Sequence, residues 1–145
     1  MKKKGFTLVE LLAVIAILSI LAVLIWPNVL NMFNSGKRDA FKIQVDSVIR
    51  AAEAQKQSDT MGGNNVPGYC YGIGAVCPSG MELSVNETDV KYAVMFGNDG
   101  KVNRIGVENT NYCYVSDPYN SNIDENDFVS GAHLSCTNSG CTCTK

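Results

Sequence analysis

A single histidine, His133, and only twelve Lys and Arg set against fourteen Asp and Glu leave this 145-residue chain poor in cationic chemistry. The lone imidazole excludes catalytic metal centres built from several histidines. Beyond residue 57 the cations are Lys91, Lys101, Arg104 and Lys145, too few and too scattered to form a phosphate-neutralising patch, so direct nucleic-acid binding is not expected. No two cysteines stand at the C-x2-C spacing of structural zinc sites. Charged residues make up 18% of the chain and hydrophobic ones 46%, which excludes intrinsic disorder. Polarity is also unevenly spread. From Leu11 to Trp26 only Ser19 is polar, whereas all six cysteines lie between Cys70 and Cys143.

Lys2, Lys3 and Lys4 precede the apolar run, which with its flanks supplies about 20 residues, enough to cross roughly 30 Å of hydrocarbon as a helix. The positive-inside rule keeps the lysine end in the cytoplasm and places everything after Trp26 outside it. A cleaved secretory signal would need a small-x-small site after the core, and Leu24-Ile25-Trp26-Pro27 does not supply one. The expectation is therefore a retained single span in the cytoplasmic membrane. Glu10 disturbs that reading, because a carboxylate at the head of a membrane helix costs on the order of a few kcal/mol unless it finds a partner or reaches water.

Gly5-Phe6-Thr7-Leu8-Val9-Glu10-Leu11-Leu12, after a short lysine leader and before an apolar helix ending in Pro27-Asn28, resembles the signature of prepilins of the type IV pilin superfamily. The likeness covers roughly residues 1 to 57 and does not extend into the remainder. It implies a leader of residues 1–5, cut after Gly5 by a prepilin peptidase that then methylates the new amino terminus, Phe6. It implies a lipid- and filament-core helix over 6–27 and an amphipathic continuation over 28–57. Partners implied are copies of the chain or related pilins, a membrane assembly platform and the bilayer itself. Glu10 then becomes an assembly residue, its charge met by the amino terminus of a neighbouring subunit, since an ammonium suits a carboxylate in a low-dielectric setting. The superfamily includes pilus subunits, type II secretion pseudopilins and DNA-uptake pilins, and the first 57 residues do not separate them.

Past Trp26 the helical pattern continues, with Pro27 expected to kink it and Gly36 to weaken it. Phe41, Val45, Val48, Ile49 and Ala52 recur at spacings of three and four, opposite Lys42, Asp46, Arg50 and Glu53, so one stripe is to be buried by a domain. Unbroken from Phe6 to Gln57, such a helix would measure about 78 Å, half suited to lipid and half to protein. Ser58 to Gly68 has the Gly, Asn and Pro content of a loop and is expected to end it.

The segment 58–145 reads as a β-rich extracytoplasmic head. Val90, Tyr92, Val94 and Phe96 alternate before the turn Gly97-Asn98-Asp99-Gly100 and a second run from Lys101 to Val107; Tyr112–Val115 and Phe128–Val129 are shorter strand candidates. Three or four antiparallel strands laid on the stripe from Phe41 to Ala52 make an α+β fold. Its core is thin, and cysteines outside the cytoplasm make covalent staples the expected reinforcement. Several connectivities are open. Cys141 and Cys143 are too close in sequence to bond each other readily in an extended segment and should have different partners; Cys70 and Cys77 bracket a glycine-bearing stretch that permits a tight reversal, as do Cys136 and Cys141, so the pairing expected is Cys70 with Cys77, Cys136 with Cys141, and Cys113 with Cys143.

Other chemistries are weaker fits. Asp117, Asp124, Glu125 and Asp127, with Asn120 and Asn122, offer oxygen ligands, and the resemblance adds that some secretion pseudopilins hold calcium near the carboxy terminus. Their spacing is not that of an EF-hand, so a solvated acidic loop without a resident metal or cofactor is expected. His133 lacks a nucleophile motif and reads as a surface or half-buried residue. Asn86-Glu87-Thr88 is a short match to a glycosylation acceptor. The functional expectation is a non-enzymatic filament subunit, against the alternative of a membrane-anchored binding module whose leader is never removed.

Overall fold

The computed structural model describes residues 5–63, 70–72, 83, 89–137 and 140–145. Two units compose the chain, Met1–Gly36 and Lys37–Lys145, and one helix, α1 (Leu8–Met61), contributes to both.

In the first unit α1 begins where Thr7 and Glu10 satisfy its first turn. Leu, Ala and Ile then carry it with good propensity. Ser19, the polar exception, donates its hydroxyl to the carbonyl of Ile15 at 2.7 Å and so meets its own donor within the helix. The helix is continuous through Pro27 and Gly36.

In the second unit α1 buries Phe41, Val45, Val48, Ile49 and Ala52, the stripe expected from the spacing. The helix ends at Met61, not at Gln57. Ser58, Asp59 and Thr60 are weak helix formers, but the extra turn is held by the Gln55 amide donating to Asp59 at 3.1 Å and the Thr60 hydroxyl donating to the Lys56 carbonyl at 2.8 Å, and the stop comes from Gly62 and from Gly63, whose φ of 83° takes the left-handed conformation that closes helices.

Five strands form an antiparallel meander in sequence order: β1 (Cys70–Gly72), β2 (Lys91–Phe96), β3 (Val102–Glu108), β4 (Tyr112–Ser116) and β5 (Val129–Ser130). Period-two alternation sends Tyr92, Val94 and Phe96 of β2, Ile105 and Val107 of β3, and Tyr112 and Tyr114 of β4 to the face that packs on α1. Phe41 meets Phe128 edge-on at 4.9 Å between ring centroids and lies 5.7 Å from Tyr112, giving the core an aromatic centre. The β2–β3 turn uses Gly100 at φ 82°, and Lys56 of α1 reaches across to donate to the Gly100 carbonyl while lying 4.4 Å over the Phe96 ring.

The expectation of three or four strands is too small. Besides β1, a separate two-stranded sheet, β6 (His133–Thr137) with β7 (Gly140–Thr144), lies on the opposite face of the meander from α1. Leu134 of this hairpin sits so close to Gly106 that an added Cβ there would approach its Cδ1 to 2.6 Å, which is why a glycine occupies the middle of β3. Cys113 joins Cys143, tying β4 to β7, and Cys136 joins Cys141 across the hairpin; these are two of the pairs named from spacing. The Cys70–Cys77 pairing and Asn86 lie outside the described residues. The head is thus a three-layer arrangement of helix, sheet and stapled hairpin, with the α+β class as expected.

Candidate processing and assembly site

The amino-terminal segment brings Gly5, Phe6, Thr7 and Glu10 into one short stretch. Thr7 donates its backbone N–H and its hydroxyl to Oε2 of Glu10, at 2.9 and 2.8 Å, while the Glu10 N–H donates to the Thr7 hydroxyl at 3.3 Å. This is a reciprocal capping box, and it satisfies donors that the first turn of any helix leaves without an intrahelical partner. Thr7 is the residue that sequence reasoning passed over. Its signal was present, since Thr-x-x-Glu before an apolar run is the capping-box pattern. The cap fixes the Glu10 carboxylate at the positive end of the helix dipole, and Glu10 is exposed there.

Phe6 is 85% exposed, and a Cβ built on Gly5 would meet nothing within 4 Å. The fold of this chain therefore places no steric demand for glycine at position 5.

From Leu8 onward α1 contains a window with mean hydropathy 3.0, none of it buried within the chain, long and apolar enough to cross a membrane by length and composition. Leu11, Ile17, Ile20, Leu24 and Trp26 are all more than half exposed. An apolar surface of this extent, uncovered by the chain's own residues, needs lipid or protein around it.

The other candidate residues are occupied with the fold. Asp117 accepts from Nε of Arg104 at 3.0 Å, and Asp124 accepts from the N–H and side-chain amide of Asn126, capping the 3-10 turn that holds Glu125 and Asp127. Among the described residues no three His, Cys, Asp or Glu side chains gather at metal-binding distance. His133 is not without a partner: Nδ1 lies 2.9 Å from Oε1 of Glu108, a buried carboxylate that the strand pattern gave no reason to single out.

Residues 1–26 match the family model described as the prokaryotic N-terminal methylation motif. No curated protein and no solved structure matches the chain. With its Gly5–Phe6 junction, capped helix start and uncovered apolar helix leading to a small antiparallel sheet, the chain carries the prepilin-type cleavage and methylation signal of type IV pilins on an α+β, pilin-like fold.

Proposed function

We propose that the chain is a structural subunit of a type IV pilus-like filament, made as a prepilin, cleaved after Gly5, methylated on Phe6 and assembled through its apolar helix. The observation that carries this reading is the methylation motif over residues 1–26, set at the start of an apolar helix that the rest of the chain leaves uncovered. Before assembly the helix is held in the cytoplasmic membrane with its lysine end inside and the head outside. In the filament the same surface exchanges lipid for the helices of neighbouring copies or of related pilins. No active site is needed for this, since extraction from the membrane is the work of a separate assembly platform.

Glu10 gives the assembly its register. A charged carboxylate near the edge of hydrocarbon is costly, and an ammonium close by relieves the cost. Cleavage at Gly5 creates such an ammonium at Phe6. Supplied by the adjacent subunit, it favours only the docked position in which the two charges meet.

Coexpression with a prepilin peptidase tests the reading. The purified chain should begin at methylated Phe6, and Gly5→Leu should retain the leader, both read by intact mass and amino-terminal sequencing. Native filaments built from chains that still carry Met1 to Gly5 would overturn the processing step, and a chain left uncleaved and confined to the membrane would favour an anchored binding module instead.

A further inference from the structure

Glu108 is the one buried charged side chain among the described residues, 6% exposed at the end of β3. It lies on the face of the sheet away from α1, and its partners come from two other strands. Oε2 accepts the backbone N–H of Leu134 at 2.7 Å; Oε1 lies 2.9 Å from Nδ1 of His133 and 3.4 Å from Nζ of Lys91. An open groove alongside is lined by Asp89, Lys91, Asn109 and His133, so water and protons reach the edge of the carboxylate. Among the described residues, Asp89, Lys91 and His133 are the charged or titratable side chains lining that groove; β4 opposes Glu108 with Cys113, already bonded to Cys143.

The hairpin β6–β7 is a unit of its own, closed by its ladder and by Cys136–Cys141. Among the described residues, Glu108 grips the start of β6, Leu134 and Cys141 pack on Gly106, and Cys113–Cys143 ties down the end of β7. Gly131, at φ 65°, stands two residues before β6 and donates its N–H to the Asn111 carbonyl at 3.1 Å, which marks the fixed end of the corner. Of these attachments, the grip by Glu108 is the one a proton can undo.

We propose that Glu108 is an acid-operated latch, whose protonation frees the corner from Gly131 to Leu134 and uncovers the strip of sheet beneath Leu134, while Cys113–Cys143 keeps the hairpin tethered. An ionised carboxylate accepts strongly from the Leu134 N–H and the Lys91 ammonium, and from His133 when Nδ1 carries a proton; a neutral one accepts more weakly from all of them. Burial raises the carboxyl's pKa, but the hydrogen bonds from His133 and the Leu134 N–H, with the charge of Lys91, outweigh it and hold the group below its ordinary value of 4.5. A carboxyl depressed in this way contributes its stabilisation in full above the ordinary value. That contribution is lost as pH falls through the lower, folded value.

Hydrogen exchange on the full chain in detergent micelles tests the latch, with each rate taken relative to the intrinsic rate at the same pH. Between about pH 7 and about pH 3 the amide of Leu134, the one that Glu108 accepts from, should lose protection by about tenfold or more, the equivalent of one charge-assisted hydrogen bond, while Ser135 in the hairpin ladder keeps its protection. Val94, Val107 and Tyr114 in the central strands should keep theirs. Glu108→Gln should show the open level at neutral pH and no further change on acidification. Unchanged protection of Leu134 across the pH range would overturn the proposal. So would loss in the central strands together with the corner, or a Glu108→Gln chain unprotected throughout at neutral pH, since either makes Glu108 a support of the whole head.

Discussion

Replacing Cys113 and Cys143 together by alanine removes the staple between sheet and hairpin, and replacing Cys136 and Cys141 removes the one inside the hairpin. In the chain-entropy account a disulfide stabilises by restricting the unfolded chain in proportion to the logarithm of the loop it closes. The two loops differ greatly, with sequence separations of 30 and 5. The longer gives about 3.7 kcal/mol and the shorter about 2.2 kcal/mol at 25 °C. The short loop is nested inside the long one, which shortens the effective outer loop slightly and changes the first figure little. Cys113 is fully buried, so its truncation also removes core contacts and pushes the loss in the same direction. Urea unfolding of the full chain in detergent, followed by tyrosine fluorescence from the head, should therefore rank the variants clearly. Cys113→Ala/Cys143→Ala is expected to fall furthest, with a thermal midpoint lowered by roughly 10–20 °C. Equal losses, or a larger loss for Cys136→Ala/Cys141→Ala, would refute the loop-entropy reasoning for this head.

Glu10→Ala should insert and be cleaved normally yet enter filaments poorly, as measured by sheared-filament yield at equal membrane abundance; wild-type yield would remove Glu10 from the assembly step. Phe41→Ala should cost the head about 3–5 kcal/mol in urea unfolding, because it empties the space shared with Tyr112 and Phe128. Gly100→Ala should cost about 1 kcal/mol or more by the same assay, since φ 82° disfavours a Cβ and the Lys56 ammonium lies 3.0 Å from where it would stand.

The parts of the head that could be read in the sequence are those where a period meets a single buried face. Phe41, Val45, Val48, Ile49 and Ala52 repeat with the helix, and Tyr92, Val94 and Phe96 with the strand, so both faces of the main core were legible. The hairpin β6–β7 was not. Its inward positions are Leu134, Cys136, Cys141 and Cys143, and three of those four side chains are held by covalent bonds rather than by an apolar pattern. Glu108 was hidden for the same reason: alternation sends it to the far side of the sheet, which reads as solvent unless a second layer is known to cover it. The acidic loop was ambiguous because carboxylates that cap turns or pair with arginine have the same composition as those that bind cations. At the processing segment the motif itself was plain; the cap made by Thr7 was legible in principle and adds the local reason the helix starts where it does.

The order in which the strands occur along the chain also sets a timetable for maturation. Because β1 to β5 pair only with their neighbours in sequence, each strand of the meander can add to the last as the polypeptide emerges. Cys113, however, must wait for Cys143, and at usual elongation rates of about 5–20 residues per second that interval is on the order of seconds. Cys136 and Cys141 emerge almost together and can close first. The head thus passes through a period in which the meander is assembled while the Cys113 thiol has no partner yet. A chain that stalls before Cys143 keeps that thiol open to exchange, so the last three residues decide when the sheet is closed off.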